Sequence, residues 1–463
     1  MFARAVVLLG LFAASACGPT PQGDGHGDGG GTGGGGDGGP QPPPPAGNVT
    51  GTVWAPGNAV GAVPAGYELP VAGAMVYFAD NGAPTAIPDQ VYCDRCELHP
   101  AIFSTTDAKG RFTIENVSAG SHRLVIEKAQ FRLETMIDVP AQQGLAVPAA
   151  QTTLPSEHAP AQGKWTPRVA IAIGDSDHIE DIFGKIGMLD VDSEGRVIEA
   201  SFGATDRIDL YGNPIDPPFP SQHEGTITTL FGDLDRMKRY HIIFVPCNFD
   251  SNVTPLASPT MRRNIQDYVA AGGKLYVTDW SAEWEDAAFP DFIKFDTQHD
   301  TTAAMVSSNT INPGDGDFGH FAMHARASDA VLAEWLDGQK APLVIPAGGE
   351  EEDFPSTYAE GVIDAQDFVV EGNWTLIRET PAVRIGTDMN GMPIMNTAKT
   401  WISGDYMGTY YPHTVTFEPS CGRVMYSTYH TAQKTHEWLV PQERVLLHLI
   451  MEIGVCNAGP DID

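Results

Sequence analysis

Seven residues carry the chemistry this chain could perform: Asp175, Asp177, His178, Cys247, Asp279, Trp280 and His430. Each lies at or just beyond the end of a short apolar run. Residues 169–173 read VAIAI before Asp175, 242–246 read IIFVP before Cys247, 275–278 read LYVT before Asp279, and 424–429 read VMYSTY before His430. In an open α/β sheet, ligands and chemistry sit at the carboxyl ends of the strands. Asp, His and Cys gathered at such ends could hold a divalent cation or work as an acid–base pair. The same residues also have a purely structural use. Asp175, Asp177 and Asp279 can cap helices, Cys247 can pack as a small hydrophobe, and His430 can be a hydrogen-bonded core histidine.

Other groupings are weaker. VYCDRCELHP (91–100) holds Cys93, Cys96 and His99. Glu97 follows the second cysteine where c-type haem attachment needs His, and no second ligand pair is near enough for a zinc knuckle. A local Cys93–Cys96 disulfide is the expectation. Asp190-Val-Asp192-Ser-Glu194-Gly195 has the first half of an EF-hand loop, but its twelfth position is Ser201, not Glu. A looser calcium loop and a plain acidic turn both remain, as they do for 312–317. His299, His320 and His324 are further candidate ligands. The last two are spaced to share a helix face, without the Glu of HExxH. Glu350–Asp353 reads as a solvated loop. Among the six cysteines, Cys247 is the one expected to stay an unpaired thiol.

The elements that position these residues follow from apolar patterning. Buried strands are expected at 241–246 and 274–278, with a helix at 259–271 between them that Gly272-Gly273 stops. Continuous apolar runs of this kind mark a sheet covered on both faces. Residues 178–187 read as a helix with Ile179, Ile182, Phe183 and Ile186 on one face, Asp177 as N-cap and Glu180 completing a capping box. Val197–Phe202 reads as a strand and Leu230–Lys238 as a short helix. Alternation of this sort predicts a doubly wound α/β domain with a mainly parallel sheet over 168–457. An insertion at about 300–414 is expected to cover the sheet's carboxyl edge. Residues 48–155 instead show short strands with turn punctuation, which predicts an N-terminal β-sandwich. A linker at 156–167 joins the two, and 458–463 form a tail.

YHIIFVPCN, the following helix, DYVAAGGKLYVTDW and the late CGRVMYSTYHTA resemble the class I glutamine amidotransferase-like superfamily, including its trehalose-utilisation-like branch. The resemblance implies that the turn after 278 is a nucleophile elbow and that the strand before 430 delivers a catalytic His. The chain departs from the family pattern here. The elbow reads Thr278-Asp279-Trp280-Ser281 with no Cys, and Thr431-Ala432 replaces the Pro-Glu that should follow the His. A complete Cys–His–Glu relay is therefore not expected. GTV (51–53), PVAGAMV (70–76), TDAKGRF (106–112) and VSAG (117–120) resemble the carboxypeptidase regulatory-like domain, whose members support or bind.

Arg4, the apolar run Ala5–Ala13 and Ala14-Ser15-Ala16 before Cys17 form a signal peptide. The cysteine after small residues resembles a bacterial lipobox. That implies cleavage after residue 16, lipidation of Cys17 and, from Gly18, the outer membrane or cell surface. Residues 18–47 are almost wholly Gly, Pro, Asp and polar, a disordered tether with a reach of about 30 Å. No later stretch approaches the ~18 apolar residues of a membrane helix. A net charge of −32 argues against nucleic acid and is compatible with a divalent cation. The reading is a cell-envelope lipoprotein: a surface binding or interaction module, with envelope proteins or polysaccharide as partners and a non-catalytic amidotransferase-like domain. The alternative is an extracytoplasmic hydrolase, metal-assisted, working at the strand-end cleft.

Overall fold

The computed structural model describes residues 45–57, 63–80, 82, 84–93, 103–141, 143–174, 176–213, 217–248, 250–295, 303–308, 320–346, 357–388, 390–432 and 434–452. Cys17, Cys96, His99, Asp175, His299, 312–317 and Glu350–Asp353 lie outside them. Residues 44–463 form one compact unit. Among the described residues, no helix is long and apolar enough to cross a membrane.

The N-terminal part contributes β1 (Pro45–Thr52), β2 (Met75–Phe78), β3 (Phe103–Thr105), β4 (Arg111–Ser118), β5 (Gly120–Lys128), β6 (Phe131–Val139), β7 (Leu145–Ala146) and β8 (Lys164–Trp165). They form a three-stranded sheet, β4-β1-β7, and a five-stranded sheet, β3-β2-β5-β6-β8. Asp107 starts the turn into β4, its carboxylate accepting from the Lys109 and Arg111 N–H groups at 2.9 Å each. Gly110 sits at φ 73. Phe112 then drops into the core beside Val49 and Ile114.

The second part begins with β9 (Val169–Ile171), α1 (Ile179–Lys185), β10 (Ile208–Gly212), β11 (His223–Thr226), α2 (Ile227–Phe231), α3 (Leu234–Met237), β12 (Ile242–Val245), α4 (Pro259–Ala270), β13 (Lys274–Thr278) and α5 (Glu283–Asp286). It continues through β14 (Lys294–Phe295), α6 (Ala303–Ser308), β15 (His320–Ala327), α7 (Ala330–Leu336), β16 (Lys340–Ile345), β17 (Thr357–Val362) and β18 (Phe368–Asn373). The last elements are β19 (Ile377–Glu379), β20 (Ala382–Thr387), β21 (Pro393–Thr397), β22 (Lys399–Tyr406), β23 (Thr409–Phe417), β24 (Arg423–Ser427) and α8 (Pro441–Glu452).

Ten of these strands make one sheet in the order β11-β10-β9-β12-β13-β24-β23-β22-β15-β18. The six strands from β11 to β24 are parallel. The remaining pairings are antiparallel. The sheet is thus mixed, with five of its nine pairings parallel. The expected insertion explains the antiparallel pairings, because its strands extend the sheet edge-on instead of only covering its carboxyl end. β9, β12 and β13 are buried along their whole length, as their continuous apolar runs require. One apolar cluster covers one face of the sheet with α1, α7 and α8 and runs on into the N-terminal sheets. The other cluster packs α2 to α5.

Several local expectations are corrected. Val197–Phe202 is no strand. It holds a single bridge, Val191 to Val197, and a 3-10 turn at Glu199–Ala204; the strand is β10, six residues further on. The helix expected at Leu230–Lys238 breaks at Gly232-Asp233 into α2 and α3, with Asp233 capping the second through the Arg236 N–H at 3.2 Å. His320 and His324 lie on a strand, not a helix, and His324 is exposed with Nδ1 2.6 Å from Asp367. Asp192 uses its carboxylate on the N–H groups of Glu194 and Arg196.

The disulfide joins Cys93 to Cys421, 328 residues away, rather than to Cys96. Three turns meet there because two glycines let backbones touch. A Cβ on Gly272 would lie 2.0 Å from the Tyr92 carbonyl oxygen, and one on Gly422 would lie 2.1 Å from that of Gly273. This contact brings the two Cα atoms to 5.6 Å, inside the range a disulfide spans.

Candidate functional site

Three parallel strands deliver the central residues. β12 runs through Pro246 to Cys247, whose N–H donates to Thr278 Oγ1 at 2.7 Å. β13 ends at Thr278, and Asp279 takes the left-handed conformation, φ 46, before a 3-10 turn leads into α5. A non-glycine residue held there, at a sharp strand-to-helix turn, has the form of a nucleophile elbow. β24 ends at Ser427 and leads to His430.

These tips bring together Cys247, Asp279 and His430. Their ligand-capable atoms all lie within 4.8 Å of one another, and the residues are 3%, 0% and 1% exposed. Cys247 Sγ is 3.6 Å from Asp279 Oδ2. Asp279 Oδ1 accepts the Trp374 N–H at 2.9 Å. His430 Nδ1 lies 2.8 Å from the Thr431 carbonyl oxygen. A carbonyl can only accept, so Nδ1 carries a proton. The ring rests on Gly372 at φ 75, where a Cβ would stand 2.4 Å from His430 Cε1.

Burial pushes the Asp279 carboxyl and the Cys247 thiol well up, and each also feels the negative charge of Asp177; Asp279 further raises the thiol. Both are driven toward their protonated forms. The arrangement therefore favours a thiol hydrogen-bonded to a carboxyl group over a thiolate nucleophile.

Asp177 does not cap α1, whose N-cap is His178 without a side-chain bond. It is fully buried and ties two strand ends together, accepting from Thr278 Oγ1 at 2.6 Å, Thr431 N at 3.0 Å and Thr431 Oγ1 at 2.7 Å. His178 faces Glu180 at 3.1 Å instead of the cluster. Trp280 is half-buried, and its ring lies 5.2 Å from that of Trp374. Sequence reasoning missed Trp374 and Thr431. Thr431 stands next to His430, but Trp374 comes from the turn after β18 and carries no motif.

A second concavity of about 700 Å³ is lined by Arg196, Tyr358, Lys434, His436, Glu437 and Trp438. Behind it His436 Nε2 and Lys185 Nζ meet Glu443 Oε2 at 2.7 and 3.3 Å. Sequence reasoning missed this groove, because Arg196, Tyr358 and 434–438 come together only through the fold.

No protein-family model matches the chain, and no curated protein does. Among solved structures it is similar to two thua-like proteins. That from Bacteroides uniformis is 9% identical and covers 63% of this chain and 92% of its own, at a TM-score of 0.31. That from Parabacteroides merdae is 10% identical and covers 64% and 93%, at 0.29. A cohesin–X–dockerin complex from Acetivibrio cellulolyticus is 17% identical over 26% of this chain and 66% of its own, at 0.16. At these values no activity, substrate or partner transfers to this chain.

Proposed function

We propose that this chain is a cell-envelope binding protein, exported and anchored through Cys17, whose amidotransferase-like domain is not catalytic. The observation that carries the reading is the state of the elbow. The residue presented there is Asp279, sealed from solvent, with one carboxylate oxygen on the Trp374 N–H and the other facing the Cys247 thiol. A nucleophile must reach its substrate, and this one is committed to holding strand ends together.

Binding falls to the open groove. Tyr358 and Trp438 offer flat aromatic faces, and Lys434 together with Arg196, itself paired with Asp181, brings positive charge beside Glu437 on a chain of net charge −32. Aromatic faces suit sugar rings, and local cations select anionic ones. The ligand class is an acidic envelope polysaccharide.

Titration of the purified protein with acidic and neutral polysaccharides tests this. Binding is expected for the acidic set, weakened about tenfold or more in Trp438→Ala, equivalent to ~1.4 kcal/mol. Equal binding by that variant, or no binding to any acidic glycan, overturns the groove. Turnover of any glycoside, ester or amide that disappears in Asp279→Asn overturns the non-catalytic reading. Incorporation of labelled palmitate, lost in Cys17→Ser, tests the anchor.

A further inference from the structure

The buried trio at the strand ends offers one sulfur, one imidazole nitrogen and one carboxylate oxygen, from three different strand tips, inside 4.8 Å. We propose that Cys247, Asp279 and His430 form a binding site for a tetrahedral divalent transition metal, best matched by Zn²⁺. The site is separate from the polysaccharide groove and does not depend on it.

Geometry gives the first support. Zn–S and Zn–O bonds of about 2.3 and 2.0 Å at a tetrahedral angle place sulfur and oxygen about 3.5 Å apart. Cys247 Sγ and Asp279 Oδ2 stand at 3.6 Å. The pair is already spaced as two ligands of one ion.

The donor set gives the second. Thiolate and imidazole are poor partners for Mg²⁺ or Ca²⁺, which take oxygen ligands, and good ones for zinc. Charge agrees as well. A thiolate and a carboxylate carry two negative charges, and a neutral imidazole adds none. A divalent ion would therefore make the cluster neutral in a place where an uncompensated charge is costly. Binding turns the thiol into a thiolate and the carboxyl into a carboxylate, each releasing its proton to solvent, with no change of oxidation state.

The surroundings give the third. Metal-bound imidazoles commonly donate their other N–H to a carbonyl or carboxylate. His430 Nδ1 does so to Thr431 O at 2.8 Å, which makes Nε2 the nitrogen that would bind the ion. The Trp374 backbone N–H fixes Asp279 Oδ1 at 2.9 Å, and the Trp280 backbone N–H donates to Cys247 sulfur. Each donor thus has an outer partner that orients it. Three protein ligands leave a fourth position for water.

The test uses the whole folded chain after chelator treatment, loaded with Co²⁺ and then with Zn²⁺. One equivalent of Co²⁺ is expected, with a thiolate-to-cobalt charge-transfer band that Zn²⁺ displaces. The band should be absent in Cys247→Ser, and affinity should fall at least tenfold in Asp279→Asn. Less than one-tenth of an equivalent bound, or an unchanged band in Cys247→Ser, overturns the site. If those variants fail to fold, X-ray absorption on zinc-loaded protein decides. The protein for that measurement carries Cys17→Ser, Cys96→Ser and Cys456→Ser, leaving Cys247 as the free thiol. One sulfur at about 2.3 Å supports the proposal, and an all-nitrogen/oxygen shell overturns it.

Discussion

Asp279 shows how much one backbone angle decides. At φ 46 most side chains are strained, and Asn and Asp are the non-glycine residues that accept it best. Asp279→Asn is therefore expected to stay within about 1 kcal/mol of wild type in urea unfolding, keeping its acceptor for the Trp374 N–H. Asp279→Val loses that acceptor and forces a β-branched residue into the left-handed region. Its expected cost is about 2–4 kcal/mol. Glu443 allows a pH test. Burial opposes its charge, but His436 and Lys185 outweigh that and hold the carboxyl at about 2, below its ordinary 4.5. Since the folded value is depressed, the stabilisation is complete above the ordinary value and is lost as pH falls from about 4.5 to about 2. Glu443→Gln should cost about 3–5 kcal/mol at neutral pH, and the gap to wild type should close across that window. A gap that stays constant would remove the pair from the account. Cys247, Asp279 and His430 were legible because each follows an apolar run that buries a strand. The role of Asp177 was not, since its partners stand 101 and 254 residues away.

Elements were legible where their pattern was local. β13 spans the expected 274–278, and α4 lies one residue inside its expected end. β15 was misread because histidines four apart share a face on a helix and on a strand alike. The deciding signal was period two: Met323, Ala325 and Ala327 are buried while His324 and Arg326 are exposed. The CxxC motif misled for another reason. Spacing reports what is near along the chain, whereas the bridge follows from the backbone approaches at Gly272 and Gly422. Peptide mapping without reduction should recover Cys93 linked to Cys421. Reductant should lower stability by about 2–5 kcal/mol in denaturant titration. A 93–96 peptide in the mature protein would refute the long-range bridge.

At the scale of the molecule, the N-terminal sheets and the large sheet hold each other by specific contacts. Trp335 Nε1 donates to the Pro70 carbonyl at 2.7 Å, and Arg207 pairs with Asp89 at 2.6 Å. Lys109 Nζ reaches the carbonyls of Glu334 and Asp337 at 2.7 and 2.9 Å, at the end of α7. A lysine there satisfies carbonyls the helix leaves open. Calorimetry of the folded part should therefore give one unfolding transition, and two resolved peaks would show independent parts. The turn made by Asp107 and Gly110 was readable from the sequence. The junction was not, because its apolar side chains look like core residues of either part.

The Cys93–Cys421 bridge also sets an order of events in biosynthesis. A chain made from its amino end offers Cys93 one close thiol, Cys96, through more than 300 further residues of elongation. In an oxidising compartment that neighbour would capture it first, and the permanent bond would then require thiolate attack and exchange once residue 421 had emerged. Maturation would depend on a disulfide-shuffling catalyst rather than an oxidant alone, and chains truncated before residue 421 should accumulate the 93–96 loop.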